Sequence, residues 1–369
     1  MNPQPQSSQP TTPSLPPDDS PSLGEIAAVF FRLGTVAFGG PAAHIAMMDD
    51  EVVKRRQWMN REALLDLISV TNLLPGPNST ELAIHIGYEQ RGWPGLFVAG
   101  SSFILPAMTL VWSLAVVYER YQTVPQVGWL LYGIKPVIIA VVLQALWKLS
   151  KKAIKDRLTG LVGATAIAAY FLGVNEIALL LAAGLTVMLL RNGLRRSTPT
   201  LFFSLPLLAQ TSAASAGSTG VFLFFLKVGS VLYGSGYVLL AFLQRDLVEQ
   251  HQWLTSQQLL DAVAIGQVTP GPVFTTATFV GYLLAGHAGA IAGTIGIFLP
   301  AFLLVGLVNP WVPKLRQSPW SSAFLDGVNA GSLGLMAGVT FTLGQAALVD
   351  GFTTGTAILS AIAILQFKV

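Results

Sequence analysis

The chain has no cysteine among its 369 residues. That absence excludes disulfides, thiolate metal sites and cysteine nucleophiles. Histidine is scarce as well, with only His44, His85, His251 and His287 and no H-E-x-x-H spacing, so no metal site is expected. Charge is the third deficit. Only 11% of residues are Asp, Glu, Lys or Arg, against about 25% in an average soluble domain, so most of the surface does not face water. No G-x-x-x-x-G-K-[ST] run occurs, which argues against ATP hydrolysis by this chain. No flavin or haem motif is evident either, and no cofactor is expected. Residues 1–24 are rich in Pro, Ser and Gln but lack the basic start and apolar core of a signal peptide. They read as a disordered tail.

What the chain has instead is apolar length. Hydrophobic residues make up 52% of it, and several stretches approach the roughly 20 residues needed to cross a bilayer. The clearest are Leu96–Val117, Val127–Leu146, Val221–Phe242, Ala288–Val308 and Phe324–Leu343. The expected fold is all-α, a polytopic membrane protein with the lipid bilayer as its surroundings. Nucleic acid is not expected as a partner.

The chain also matches itself. An offset of 195 places Phe30 on Phe225, Gly34 on Gly229, Gly39 on Gly234, Trp58 on Trp253, Asp66 on Asp261 and Pro75-Gly76-Pro77 on Pro270-Gly271-Pro272. After that motif the offset becomes 194, placing Gly87-Tyr88 on Gly281-Tyr282 and Leu105-Pro106-Ala107 on Leu299-Pro300-Ala301. Shared hydrophobicity does not produce matches that include Gly and Trp at such constant spacing. The cations of matched loops differ. Lys148–Arg157 holds five Lys or Arg, and its counterpart Thr342–Gly351 holds none; Asp49–Glu62 holds four, and Gln244–Gln257 holds only Arg245. The bias reverses at Tyr118–Val127, where Arg120 is alone, against Asn309–Trp320 with Lys314 and Arg316. By the positive-inside rule the halves then have opposite orientation, forming an inverted-topology repeat. This reading puts Asp49–Glu62, Lys148–Arg157, Arg191–Arg196 and Asn309–Trp320 in the cytoplasm. Its units are a first repeat at 25–194, a linker at 195–219 and a second repeat at 220–369. The apolar patch Leu201–Leu208 in the linker is too short to span. Nothing in the second repeat matches Ile177–Leu190, so it is expected to lack its last helix, by nature or by truncation.

Each Pro-Gly-Pro interrupts an apolar stretch, Leu64–Tyr88 or Leu259–Tyr282. Proline removes amide donors and disfavours helix just before its ring, so discontinuous helices are expected at both motifs. Irregular backbone at membrane depth must be buried in protein or line a wet cavity. The half-helix after each break starts with free amides and the positive end of its dipole, an anion receptor. Gly76, Asn78, Ser79 and Thr80 in one half, with Gly271, Thr275 and Thr276 in the other, are the expected anion contacts. Gly39 and Gly234 mark a second glycine-rich segment ahead of each break. Arg32 falls on Lys227, and a cation recurring in an apolar segment points to function, although snorkelling is the simpler alternative. Lys135, before Pro136, is a third candidate contact or an interface anchor. Glu81, His85 and His44 are candidates for proton coupling, though Glu81 also has capping-box spacing from Asn78. Asp66 and Asp261 read as first-turn aspartates serving a helix dipole, with Asn60 and Thr255 as helix caps.

The runs Phe38-Gly39-Gly40-Pro41-Ala42-Ala43-His44 and Leu74-Pro75-Gly76-Pro77-Asn78-Ser79-Thr80-Glu81, with the Gly271-Pro272 copy, resemble the chromate ion transporter family in its long two-domain form. The resemblance covers the chain after its tail. It implies a secondary transporter that exports chromate across the bacterial inner membrane and confers chromate resistance. Sulfate, alike in shape and charge, is the alternative cargo. A passive anion channel and an intramembrane enzyme, such as one using Ser79 near His85, are the competing classes, and an enzyme is not expected. A homodimer is compatible with this reading.

Overall fold

The computed structural model describes residues 20–122, 124–192, 217–233, 236–308 and 318–367, and among them all regular structure is helical. The tail before residue 20, the patch at 201–208, most of the linker, the cations Lys314 and Arg316, and Gly234 lie outside the described residues. Among the described residues three helices are long and apolar enough to cross a membrane, Asn78–Tyr121, Gly128–Ala153 and Val273–Leu307, and shorter apolar helices accompany them.

The chain begins with two hairpins. Helix α1 (Leu23–Val36) ends at Ala37, and α2 (Gly40–Met48) returns through a π-helical stretch at Asp49–Arg55. Two ion pairs fix this reversal: Arg32 with Glu51 at 2.7 Å, and Arg56 with Glu25 at 2.6 Å. Helix α3 (Arg61–Thr71) then stops before Pro75-Gly76-Pro77, and α4 (Asn78–Tyr121) follows. The first arm of α4 also doubles back, because Gln90 near its end donates to the Trp58 carbonyl just ahead of α3, at 3.2 Å. Arg91 donates to Pro21 and Ser20 ahead of α1, each at 2.8 Å. Both hairpins therefore leave by the end they entered; at their tips Ala37 and Pro75–Pro77 are buried, whereas Phe38 and Gly39 are exposed.

As one rod, the 44 residues of α4 would reach about 66 Å, twice the hydrocarbon core of a bilayer. They form two arms instead. Arg91 and Gly92 leave helical geometry, Gly92 at φ 59° and ψ −144°, and Gly87 packs on the backbone of Gly95 across the turn. That φ lies in a region open chiefly to glycine. Helices α5 (Pro125–Ala153), α6 (Arg157–Phe171) and α7 (Glu176–Asn192) complete this half.

The second half repeats the plan at matched positions. Helix α8 (Ser218–Val231) breaks at Leu232, and a single turn at Gly236–Val238 leads into α9 (Leu239–Phe242) and a π-helical stretch at Leu243–Gln250. Lys227 meets Asp246 at 2.9 Å as Arg32 meets Glu51. Helix α10 (Ser256–Val268) ends before Pro270-Gly271-Pro272. Helix α11 (Thr276–Val308) then turns at Ala285 and Gly286, Gly286 having φ 60° and ψ −148°. Helices α12 (Pro319–Ala347) and α13 (Gly351–Phe367) follow. The expected span Val221–Phe242 is thus corrected. It is not one helix, because the chain opens at Leu232 to bring Asp246 back to Lys227. The other four expected spans lie within α4, α5, α11 and α12.

The long arms of α4 and α11 run antiparallel. Trp93, at the start of one, lies against Gly306 near the end of the other. Phe97 stacks on Phe302 with centroids 5.7 Å apart, and Trp112 donates to His287 Nδ1 at 3.0 Å. At the end carrying the starts of α1 and α6, Asp326 gathers Lys155 at 2.7 Å and Arg191 at 2.5 Å, and Arg191 also holds Asp156 at 2.6 Å. At the other end Arg245 bonds the Gly173 carbonyl, and Tyr132 bonds Asp350.

Candidate functional site

The tips are fastened to each other by their backbones. The Gly76 amide donates to the Leu232 carbonyl, and the Gly271 amide donates to the Ala37 carbonyl, both at 2.8 Å. Gly76 and Gly271 match at the offset of 195, as do Ala37 and Leu232, so the two bonds are one contact made twice. Gly76 adopts φ 143° and Gly271 φ 92°, conformations that other residues rarely adopt.

Between the tips lies a small cleft lined by Pro41, His44, Pro77, Asn78 and Ser79 from the first half and Gly236, Pro272, Val273 and Phe274 from the second. Most of these positions match in pairs, but their chemistry does not. Where the first half offers Asn78 and Ser79, the second offers Val273 and Phe274; His44 has Leu239 as its counterpart. Helix α4 starts at this wall. Its first internal bond is Glu81 N–H to the Pro77 carbonyl, which leaves the amides of Asn78, Ser79 and Thr80 as the unsatisfied positive end of the helix.

His44 is held by both ring nitrogens. Nε2 lies 3.1 Å from the Ala37 carbonyl, which can only accept, so Nε2 carries hydrogen. Nδ1 lies 3.1 Å from Ser79 Oγ, and its free lone pair then accepts the serine hydroxyl. The Ala37 carbonyl therefore receives both His44 and Gly271, one donor from each half.

Behind Ser79 is a group of polar side chains with no such satisfaction. Glu81, Thr80 and His85 have no exposed surface, and Tyr233 is 6% exposed. Both Glu81 oxygens, both His85 nitrogens, the Thr80 hydroxyl and the Tyr233 hydroxyl make no hydrogen bond among the described residues. Glu81 therefore does not cap its own helix, although its spacing from Asn78 allowed that; Pro77 is the N-cap residue and has no side-chain donor or acceptor. The Ser79–His85 pairing that the competing enzyme reading would need is absent, since Ser79 turns to His44.

The remaining expected residues divide. Gly76, Asn78, Ser79 and Gly271 meet at the tips, and Gly39 closes the first tip with φ 96°. Thr275 and Thr276 turn their hydroxyls onto the carbonyls of Pro272 and Val273, each at 2.8 Å. Arg32 and Lys227 are not brought into the cleft; each is engaged by a carboxylate of its own hairpin, and the Arg32 side chain is 55% exposed. Lys135 pairs with Asp261 at 2.9 Å and donates to Gln257 at 2.6 Å. Asp261 is buried and also accepts Tyr118 at 2.8 Å, so it ties α10 to α4 and α5 rather than serving a helix dipole. Asn60 and Thr255 cap α3 and α10 as expected. The acids Glu51 and Asp246 were missed, and the signal was their own match at the offset of 195.

The family model described as Chromate transporter matches residues 24–188 and 219–369. A chromate transport protein of Cupriavidus metallidurans is 32% identical over 94% of this chain and 89% of its own length. A chromate transport protein of Pseudomonas aeruginosa is 31% identical over 95% and 88%, and a probable chromate transport protein of Synechococcus elongatus is 30% identical over 89% and 86%. No solved structure matches.

Proposed function

The chain belongs to the chromate transporter family, and we propose that it exports chromate across a bacterial inner membrane through the cleft between its two tips. The observation that carries this reading is the meeting of a helix N-terminus, Asn78 and Ser79 with matched positions of the second half around one cavity. Amide hydrogens at a helix start bind anions without desolvating a buried counter-charge. The bound dianion contacts the free amides at the start of α4 and the side chains of Asn78 and Ser79, and Pro272 to Phe274 form the opposing wall. Thr275 and Thr276 support that wall.

The two halves act as inverted repeats, 25–194 and 220–369, joined by 195–219. Three observations support this: the exchanged bonds of Gly76 and Gly271, the antiparallel long arms, and family matches confined to one stretch in each half. Rocking of one repeat against the other exposes the cleft to each side in turn. Lys54, Arg55, Arg56, Lys155 and Arg191 share the end that faces the cytoplasm, where the positive-inside rule puts such residues. Arg32, Lys227 and Lys135 contribute to the potential around the site but leave direct contact to neutral donors. Removal of chromate from the cytoplasm would make the cell resistant to it.

The test is labelled chromate flux in proteoliposomes with an imposed membrane potential and sulfate as competitor. Uphill movement out of the compartment facing the basic end is expected. Flux that stops at the distribution the membrane potential alone sets for a dianion describes a channel and overturns the export reading.

A further inference from the structure

Glu81 poses a problem that the cleft alone does not solve. Its carboxyl group is wholly buried, both oxygens lack a hydrogen-bond partner among the described residues, and no cation pairs with it there. An ionised carboxylate in that position would be costly to keep. It is also next to the anion site: a side chain on Gly76 would strike Glu81 Oε1, and Ser79, two residues earlier, lines the cleft. A second negative charge there would repel an arriving dianion at short range in a medium of low dielectric.

The groups around Glu81 supply no compensating charge. His85 stands one turn on along the same helix, unpartnered, and His44 of α2 has both nitrogens engaged, by Ser79 and the Ala37 carbonyl. Tyr233 of the opposite tip is near enough for its hydroxyl to sense the Glu81 charge. Helix α11 presents Ala301 at the Gly76 turn, and α12 reaches Tyr233 through Ser332, neither of them titratable. The nearby ions Lys227 and Asp261 are bound to Asp246 and to Lys135. Whether the offset is 194 or 195, the second half has a threonine, Thr275 or Thr276, where the first has Glu81, so the feature is single.

We infer that Glu81 is a proton-binding site coupled to the anion site, carrying a proton whenever the cleft holds a dianion. This rests on the transport reading and extends it to the coupled ion. The two binding events are linked thermodynamically: each proton bound at Glu81 raises anion affinity, and each anion bound raises proton affinity. The step is an association only. The proton comes from water, resides on a Glu81 oxygen, and leaves when the anion leaves. A chromate dianion and one proton together carry a single negative charge.

Equilibrium binding of labelled chromate to purified protein tests this, in the alkaline range where free chromate is fully deprotonated. Wild-type affinity is expected to fall about tenfold per pH unit once Glu81 ionises without ligand. Glu81→Gln is expected to bind with affinity that does not change with pH, and a pH dye in weak buffer should report one proton taken up per chromate by wild type and none by the variant. Size-exclusion behaviour and melting temperature establish that the variant is folded. The inference is overturned by a wild-type slope in Glu81→Gln, by binding without proton uptake in wild type, or by affinity that follows sodium at fixed pH. A wild type that fails to bind chromate at any pH overturns the transport reading itself, a different result from any of these.

Discussion

The Ala37 carbonyl accepts the Gly271 amide at 2.8 Å, joining the tip of one half to the break in the other. The bond depends on Gly271 holding φ 92°, and a β-carbon there would also come within 2.6 Å of Ala107. Gly271→Ala should therefore be strained twice, by about 1–3 kcal/mol from its backbone alone. The expected result is a lower melting temperature in detergent and a large loss of chromate flux. A variant with wild-type melting and flux would show that the tips do not need this bond.

Arg32 and Lys227 are expected to matter through their partners. Arg32 is half exposed, so its pair with Glu51 contributes about 0.2–1 kcal/mol. Lys227 and Asp246 are more buried, and removing the lysine alone should cost more, on the order of 3 kcal/mol, by stranding Asp246. Double-mutant cycles on stability, with Lys227→Met and Asp246→Leu, measure this. Coupling near zero, together with a loss of chromate affinity in Lys227→Met, would instead make the lysine a ligand for the anion.

The lack of cysteine provides a clean test of orientation. Lys151, in the last turn of α5, and Val349, between α12 and α13, are both exposed, and α12 separates them, since its start meets Lys155 through Asp326 and its end precedes Val349. In whole cells an impermeant thiol reagent should label Val349→Cys and spare Lys151→Cys until the membrane is opened. Labelling of both from one side would remove the inverted arrangement.

Acid should loosen the start of α6. Asp156 accepts the Thr159 amide and hydroxyl and pairs with Arg191, which together hold its carboxyl down to about 2 from an ordinary 3.8. A carboxyl lowered on folding contributes stability that is fully present above the ordinary value and is lost as pH falls toward the lowered one. Amide exchange at residues 157–160 should therefore quicken between about pH 4 and pH 2. Asp156→Asn should not show this transition, and if it does, another group controls the response. Asp350, bonded to Thr353 at the start of α13, is lowered for the same reason.

The sequence revealed the parts of this fold that glycine and proline write into it. Pro75-Gly76-Pro77 and its copy announced broken helices because two prolines cannot continue one. The offset of 195 announced matched halves, and Asn60 and Thr255 announced helix starts. Reversals made by contacts were harder to see. Gly234 and Gly236 mark Val221–Phe242 as irregular but do not tell that α8 stops at Val231, where an ion pair nineteen residues apart, Lys227 with Asp246, holds the reversal. The turn at Arg91 and Gly92 is hidden in a similar way, for its reason is the packing of Gly87 on Gly95. Charged residues misled most. Arg32 and Lys227 recur, and recurrence pointed to the cargo, yet Glu51 and Asp246 recur with them.

The unequal walls of the cleft lead to a last prediction. Were the two halves equivalent at the site, Asn78 and Ser79 would share their task with Val273 and Phe274, but neither of those side chains can donate a hydrogen bond. Affinity for an oxyanion must then come from the first half and the backbone. A hydrogen bond to a charged group contributes about 1.5–3 kcal/mol, so Asn78→Ala should weaken chromate binding roughly ten- to a hundredfold. Val273→Ala removes no donor and should leave affinity within about threefold, while changing how well the opposing wall excludes water. Asn78 gives one amide hydrogen to Asn72 Oδ1 at 2.9 Å and keeps a second, whereas the single hydroxyl hydrogen of Ser79 is given to His44. Ser79→Ala should cost less than Asn78→Ala unless the anion draws that hydroxyl away from the imidazole. Chromate titrations of the three variants rank these effects, and a Val273→Ala loss exceeding that of Asn78→Ala would place the binding contacts in the second half.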